Sequence, residues 1–103
     1  MLSVVVTMMI KEGRMKDFLA ICESLRPRVL KEKGCLGYDY FRDAVWPAAA
    51  AKPTEPNRVT LLERWESPAA LQAHLDTPHM KEAAVQMKDL RGHVEVRVVE
   101  PIF

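Results

Sequence analysis

The stretch "ERWESPAALQAHLDTPHMK", Glu63 to Lys81, contains the change of periodicity that decides the fold. Its first residues belong to the run Arg58 to Glu66, in which Val59, Leu61, Glu63 and Trp65 share one face of a strand. Ser67 then stands as a good N-cap, and Pro68 follows at the first helical position, where a missing N–H costs nothing. Ala70, Leu71 and Leu75 form an apolar stripe at helical spacing, and His74 lies on that same stripe. Thr77-Pro78 is a second start signal, with His79 directly after it. The spacing predicts helix from Ser67 to about Leu90, broken near Thr77-Pro78.

On the N-terminal side, Ser3 to Ile10 reads as a valine-rich strand and Gly13 punctuates it. Met15, Phe18, Leu19, Cys22, Leu25 and Val29 fit one helical face, with Gly34 as its C-cap; Pro27 is expected to kink or split this helix. Gly37 to Arg42 is a second strand with Tyr38 and Tyr40 on one face. Asp43 to Asn57 carries three prolines and an alanine run and reads as a long loop, of a length often functional or mobile. Trp46 within it is a candidate lid or dimer contact, the alternative being a disordered excursion. Val94 to Glu100 is a fourth strand.

The order β-α-β-β-α-β predicts an α+β, ferredoxin-like domain spanning 1–103, with a four-stranded antiparallel sheet. Strands 1 and 3 are central in that arrangement and strands 2 and 4 lie at the edges. Strand 1 is apolar on both parities, whereas strand 4 alternates valine with Glu95 and Arg97. Two helices cover one face of such a sheet. A second copy is expected over the other face, making a dimeric α/β barrel with an interior cavity between the sheets for a small apolar molecule.

Apolar residues make up 49% of the 103 residues and the net charge is +1, with no basic cluster, which argues against disorder and against nucleic acid as a partner. No apolar run approaches the roughly 20 residues of a membrane span. The N-terminal "MLSVVVTMMIKEG" reads as a strand rather than a signal peptide. Cys22 and Cys35 lack a C-x-x-C pattern and are expected as two reduced thiols in a cytoplasmic protein, with a disulfide or metal role as the alternative.

Three segments carry a resemblance that runs over nearly the whole chain: "VLKEKGCLGY" (Val29 to Tyr38), the Glu63 to Lys81 stretch, and "RVVEP" (Arg97 to Pro101). In them the chain resembles the antibiotic biosynthesis monooxygenase domain, whose members form dimeric α/β barrels. Within that family it is most similar to the small bacterial quinol monooxygenases. The family also includes isomerases and haem-degrading enzymes. The haem branch, by resemblance, has a Trp at the position of His74, a haem-ligating His at the position of Ala84, and an Asn late in strand 1, where Val6, Thr7 and Met8 stand here. None of the three matches.

His74 is the candidate base, since imidazole takes a proton at neutral pH without much tuning; the plain alternative is a core histidine bonded to backbone or carboxylate. Glu63, on an otherwise apolar strand face, needs a partner or a raised pKa. Its expected role is to orient His74 and fix its tautomer, against a structural Glu–His or Glu–Arg pair. Tyr38, Tyr40 and Trp65 are candidate aromatic walls for a substrate, or ordinary core packing. His79 is counted with the substrate-binding groups, or else anchors the start of its helix. His93 in a Gly-containing turn reads as solvated. His74 and His79, five residues apart, lie off a common helical face, so no metal site is expected. There is no G-x-G-x-x-G and no Walker loop, so no nucleotide or flavin site is visible.

The expected function, resting on the resemblance together with strand parity, is cofactor-independent monooxygenation of a small aromatic substrate, a quinol or polyphenol, by O₂ within a homodimer. Two rivals are carried forward. One is an isomerase of a small phosphorylated ketone, for which Arg42 or Arg64 would have to supply the phosphate contact. The other is a non-enzymatic ligand-binding module.

Overall fold

A nine-residue run rich in valine and methionine forms β1 (Leu2–Ile10), because β-branched and long apolar side chains suit a pleated surface covered on at least one side. The computed structural model describes residues 1–47 and 51–103. After β1 come α1 (Met15–Leu30), β2 (Cys35–Arg42), β3 (Arg58–Trp65), α2 (Pro68–Leu75), α3 (Pro78–Met87) and β4 (Arg91–Val99). The sheet order is β2-β3-β1-β4 and every neighbouring pair is antiparallel. The expected ferredoxin-like arrangement, with β1 and β3 in the centre, is the one observed.

Alternation sorts the sheet into two faces. Val4, Val6, Met8 and Ile10 of β1 are buried beneath the helices, beside Val59, Leu61, Glu63 and Trp65 of β3 and Tyr38 of β2. Phe18, Cys22, Leu25 and Val29 of α1 and Ala83 and Met87 of α3 close this core. The opposite face carries Val5, Met9, Leu62 and Phe41 among Thr7, Thr60, Arg64, Asp39, Glu95 and Arg97. Leu62 and Phe41 there are exposed.

Several boundaries differ from expectation. α1 passes through Pro27 as one helix. Proline leaves the carbonyl four residues back, that of Glu23, without its helical partner; both residues are on the exposed side, where water can serve. α1 ends at Leu30 with Lys31 as its cap, so Gly34 is not the C-cap. Gly34 instead takes φ +84° in the turn into β2, and a Cβ there would lie 2.6 Å from the Cβ of Ala70. That glycine therefore lets the turn after α1 press against the start of α2. β4 begins at Arg91, earlier than expected, with a register shift between Arg91 and Val94 opposite Met8 to Ile10.

The long connection after β2 is tied at its described ends. Asp43 Oδ2 accepts from Arg58 Nε at 3.0 Å and Nη2 at 2.6 Å and from the Glu55 amide at 3.0 Å. Trp46 is exposed and does not border the interior cavity. Part of the expected lid, residues 48–50, lies outside the described residues. Both cysteines are free thiols. Among the described residues no helix is long and apolar enough to cross a membrane.

Candidate active site

Between the helices and the sheet lies a cavity of about 330 Å³, at the small end of the roughly 300–1,000 Å³ of small-molecule sites. Val4, Val6, Met8 and Leu61 form its floor, and Phe18, Leu71, Leu75 and Met80 its roof. It lies on the helix side of a single sheet, inside one chain, whereas the expected cavity lay between two sheets. The helix layer leaves β4 bare on this side. Val94, Val96 and Val98 line the cavity yet are 37%, 58% and 54% exposed.

Strand alternation puts Glu63 on the cavity wall, and Glu63 is nevertheless buried. Its Oε1 accepts the indole N–H of Trp65 at 3.0 Å. Burial pushes this carboxyl above its ordinary value; the Trp65 hydrogen bond and the nearby His74 pull it back, and the Glu32 charge pushes it further up. Tyr38 and Tyr40 also reach the wall, packed edge to face with ring centroids 5.6 Å apart. Burial raises both phenols, so both stay protonated at neutral pH. It also pushes the Cys22 thiol up to about 11, which leaves it unreactive.

His74 is 1% exposed and stands behind this wall rather than on it. Its ring lies against Trp65, with centroids 4.4 Å apart, and near Tyr38, at 5.6 Å. Nδ1 is 2.9 Å and 3.1 Å from the two carboxylate oxygens of Glu32. An ionised carboxylate only accepts, so Nδ1 carries a hydrogen, and in the neutral ring Nε2 then holds the lone pair. That Nε2 is buried with no hydrogen-bond partner among the described residues. Glu63 Oε1 lies 3.7 Å from it, close for a charge pair but too long for a hydrogen bond.

Local sequence explains how His74 and His79 converge. The Ser67 hydroxyl accepts from the Ala70 amide at 3.1 Å to start α2. Thr77 Oγ1 accepts from Met80 N at 3.3 Å to start α3, and donates to the His74 carbonyl at 2.8 Å. In one unbroken helix the two histidines would diverge. The break turns His79 so that its Nε2 also meets Glu32 Oε2, at 2.9 Å. His79 lies away from the cavity, in a shallow surface recess with Arg28 and Glu82.

The chain matches the antibiotic biosynthesis monooxygenase profile over residues 1–86. It belongs to the antibiotic biosynthesis monooxygenase family. The Escherichia coli protein named probable quinol monooxygenase YgiN is 37% identical over 75 residues, covering 73% of this chain and 71% of that one. The structure of Rv0793 from Mycobacterium tuberculosis superposes with a TM-score of 0.84 at 23% identity, over 99% of this chain and 95% of that one. A conserved protein from Methanosarcina mazei gives 0.83 at 24% identity, over 95% and 89%. These two likenesses concern the fold.

Within this monooxygenase family frame, Glu63, Tyr38 and Tyr40 border the cavity, Trp65 and His74 form the layer behind Glu63, and His79 is separated from it by Glu32. Ala84 is among the residues that line the cavity. Among the described residues no group of three or more His, Cys, Asp or Glu side chains is placed to hold a metal ion.

Two residues of the site escaped the sequence reading. Glu32 stood in the last turn before Gly34, the expected C-cap, and no periodicity connects it with His74, 42 positions away. Arg91 borders the cavity, with Nη1 3.7 Å from Met8 Sδ. Read with the parity of Val94, it would face the other way. The register shift inserts one extra residue between Val94 and Arg91 relative to Met8 and Ile10 and brings it round. Arg42 and Arg64, the expected cations, are absent from the cavity wall.

Proposed function

We propose that the chain is a cofactor-independent monooxygenase that oxidises a quinol or a related polyphenol with O₂. The observation that carries this reading is Glu63, a buried carboxyl of raised proton affinity on an apolar, tyrosine-edged wall, backed by the unpartnered Nε2 of His74. A hydroquinone gives electrons to O₂ best as its phenolate. In this reading Glu63 takes the phenol proton and, once its side chain closes the 3.7 Å gap, passes it to His74, so the acceptor nearest the substrate is Glu63 and the imidazole lies behind it.

The chemistry balances without an outside reductant. Hydroquinone and O₂ give a ring hydroperoxide; loss of the O–O bond then yields hydroxyquinone and one water. The ring loses four electrons and O₂ gains four. The stored phenol proton and the displaced ring hydrogen both end in the water. The apolar walls suit the planar ring and O₂, the two tyrosine rings supply flat contact, and a cover over the bare β4 valines is needed to keep bulk water from the reactive ring. We further propose a homodimer, with a second copy over the exposed face that carries Leu62 and Phe41.

Oxygen uptake with 1,4-naphthohydroquinone tests the reading. The wild type should consume O₂ well above the spontaneous rate, and Glu63→Gln should lose roughly 10²–10⁴-fold, as when general acid–base help is removed. A wild-type rate equal to the spontaneous one rejects the quinol reading. Arg91 keeps the phosphoketone isomerase as a second reading, because a cation does border the cavity. Isomerisation of a phosphoketone that is lost in Arg91→Gln would favour it.

A further inference from the structure

Resting on the proton route through Glu63, we propose that Glu32 is a positioning residue of this site, the counter-ion that lets His74 hold the substrate's proton, with His79 fixing Glu32 from the surface side. Glu32 does not border the cavity and cannot touch a ligand there. It acts through His74.

Three observations carry this. The carboxylate of Glu32 meets Nδ1 of His74 with both oxygens, at 2.9 Å and 3.1 Å. That contact points the lone pair of Nε2 away from Glu32, on the side where Glu63 lies 3.7 Å off. Finally, Nε2 is a buried polar atom with no hydrogen-bond partner among the described residues, an arrangement that costs stability and so calls for an explanation such as a functional role. An imidazolium in so dry a place needs a negative partner, and Glu32 is hydrogen-bonded to the same ring. His79 donates to Oε2 at 2.9 Å and holds the carboxylate in position.

The groups facing His74 are Glu63 on β3, Tyr38 on β2 and Glu32 after α1; Cys35 lies close enough to feel both carboxylates. Glu32 in turn faces His79, which shares its recess with Arg28 and Glu82. In the transfer, the substrate O–H bond breaks and its proton passes to the Glu63 carboxylate, whose side chain then closes the 3.7 Å gap and delivers it to Nε2 of His74. An N–H bond forms there, while the Nδ1–H still donates to Glu32. No electron moves in this step. The proton later returns by the same path to the oxygen that leaves as water. His74 is then neutral in its starting tautomer.

The test combines ring proton–nitrogen NMR of His74 across pH with oxygen uptake on 1,4-naphthohydroquinone, for the wild type, Glu32→Gln and His79→Gln. The wild-type ring should be protonated at Nδ1 when neutral. Glu32→Gln should move the titration midpoint of His74 to lower pH, because an opposite charge is lost. It should also lower kcat by roughly tenfold or more with KM held, and move the acidic limb of the kcat profile with the midpoint. His79→Gln keeps an N–H donor and should change each quantity less. If Glu32→Gln does not fold, Glu32→Asp keeps the charge and should keep the midpoint near the wild-type value. An unmoved midpoint in folded Glu32→Gln, or a raised KM with kcat held, overturns the proposal. Absent wild-type oxygen uptake with a shifted midpoint would instead reject the quinol reading and leave the counter-ion role standing.

Discussion

Glu63 is buried against the preference of its own charge. Unfolded, its carboxyl ionises near the ordinary 4.5; folded, burial raises it. Between those two values folding takes up a proton, so stability falls as pH rises through that window and the loss is complete above the folded value. Below the unfolded value both states are protonated and the group contributes nothing. Glu63→Gln keeps an oxygen for the Trp65 N–H and removes the charge. Its melting temperature should lack the wild-type decline above about pH 4.5 and should match or exceed the wild type at pH 7. A wild-type melting curve that instead rises through this window would show the carboxylate to be stabilised by its surroundings. At this scale the sequence was half legible. Two-residue periodicity placed Glu63 and Trp65 among Val59 and Leu61, and the helical stripe buried His74. It could not show that the hydrogen-bonded acid would be Glu32, because that contact depends on how closely the turn at Gly34 packs against α2.

Local signals proved the most readable at the level of elements. Ser67-Pro68 and Thr77-Pro78 each place a cap and a pre-set φ side by side, and both caps form the expected hydrogen bonds. The end of α1 was less legible, since the glycine expected to stop it is needed for a close approach further on. The start of β4 was not legible either: a one-residue shift against β1 leaves no mark in a sequence that alternates only from Val94 onward. Pro27 shows a propensity overridden by packing. Leu25 and Val29 on either side of it are buried, and the proline itself faces outward. Pro27→Ala should restore the helical N–H bond to the Glu23 carbonyl and stabilise the fold by roughly 1–3 kcal/mol, read from denaturant unfolding. A destabilised Pro27→Ala would mean that the ring itself is packed against something the fold requires.

For the whole molecule, the sheet has one face covered by helices except along β4 and one face left uncovered. The sequence announced this through the doubly apolar β1, although Arg64, Arg97, Glu95 and Asp39 make the outer face more mixed than expected. Leu62 sits in its middle, beside Val5 and Asp39. The wild type should sediment at twice the 11.7 kDa chain mass. Leu62→Asp, adding a second negative charge beside Asp39, should sediment as a folded single chain. A folded wild-type monomer at micromolar concentration would remove the dimer from the account. The location of the cavity was not legible, because alternation tells which residues are buried and not whether helices or a second sheet bury them. The claim on which the rest depends is that O₂ is split at this cavity with the quinol as the electron source. It is tested most directly by turnover of 1,4-naphthohydroquinone under oxygen-18 gas. One labelled atom should enter hydroxynaphthoquinone and the other should appear in water, at a rate lowered in Glu63→Gln. An unlabelled quinone accompanied by labelled hydrogen peroxide would contradict it.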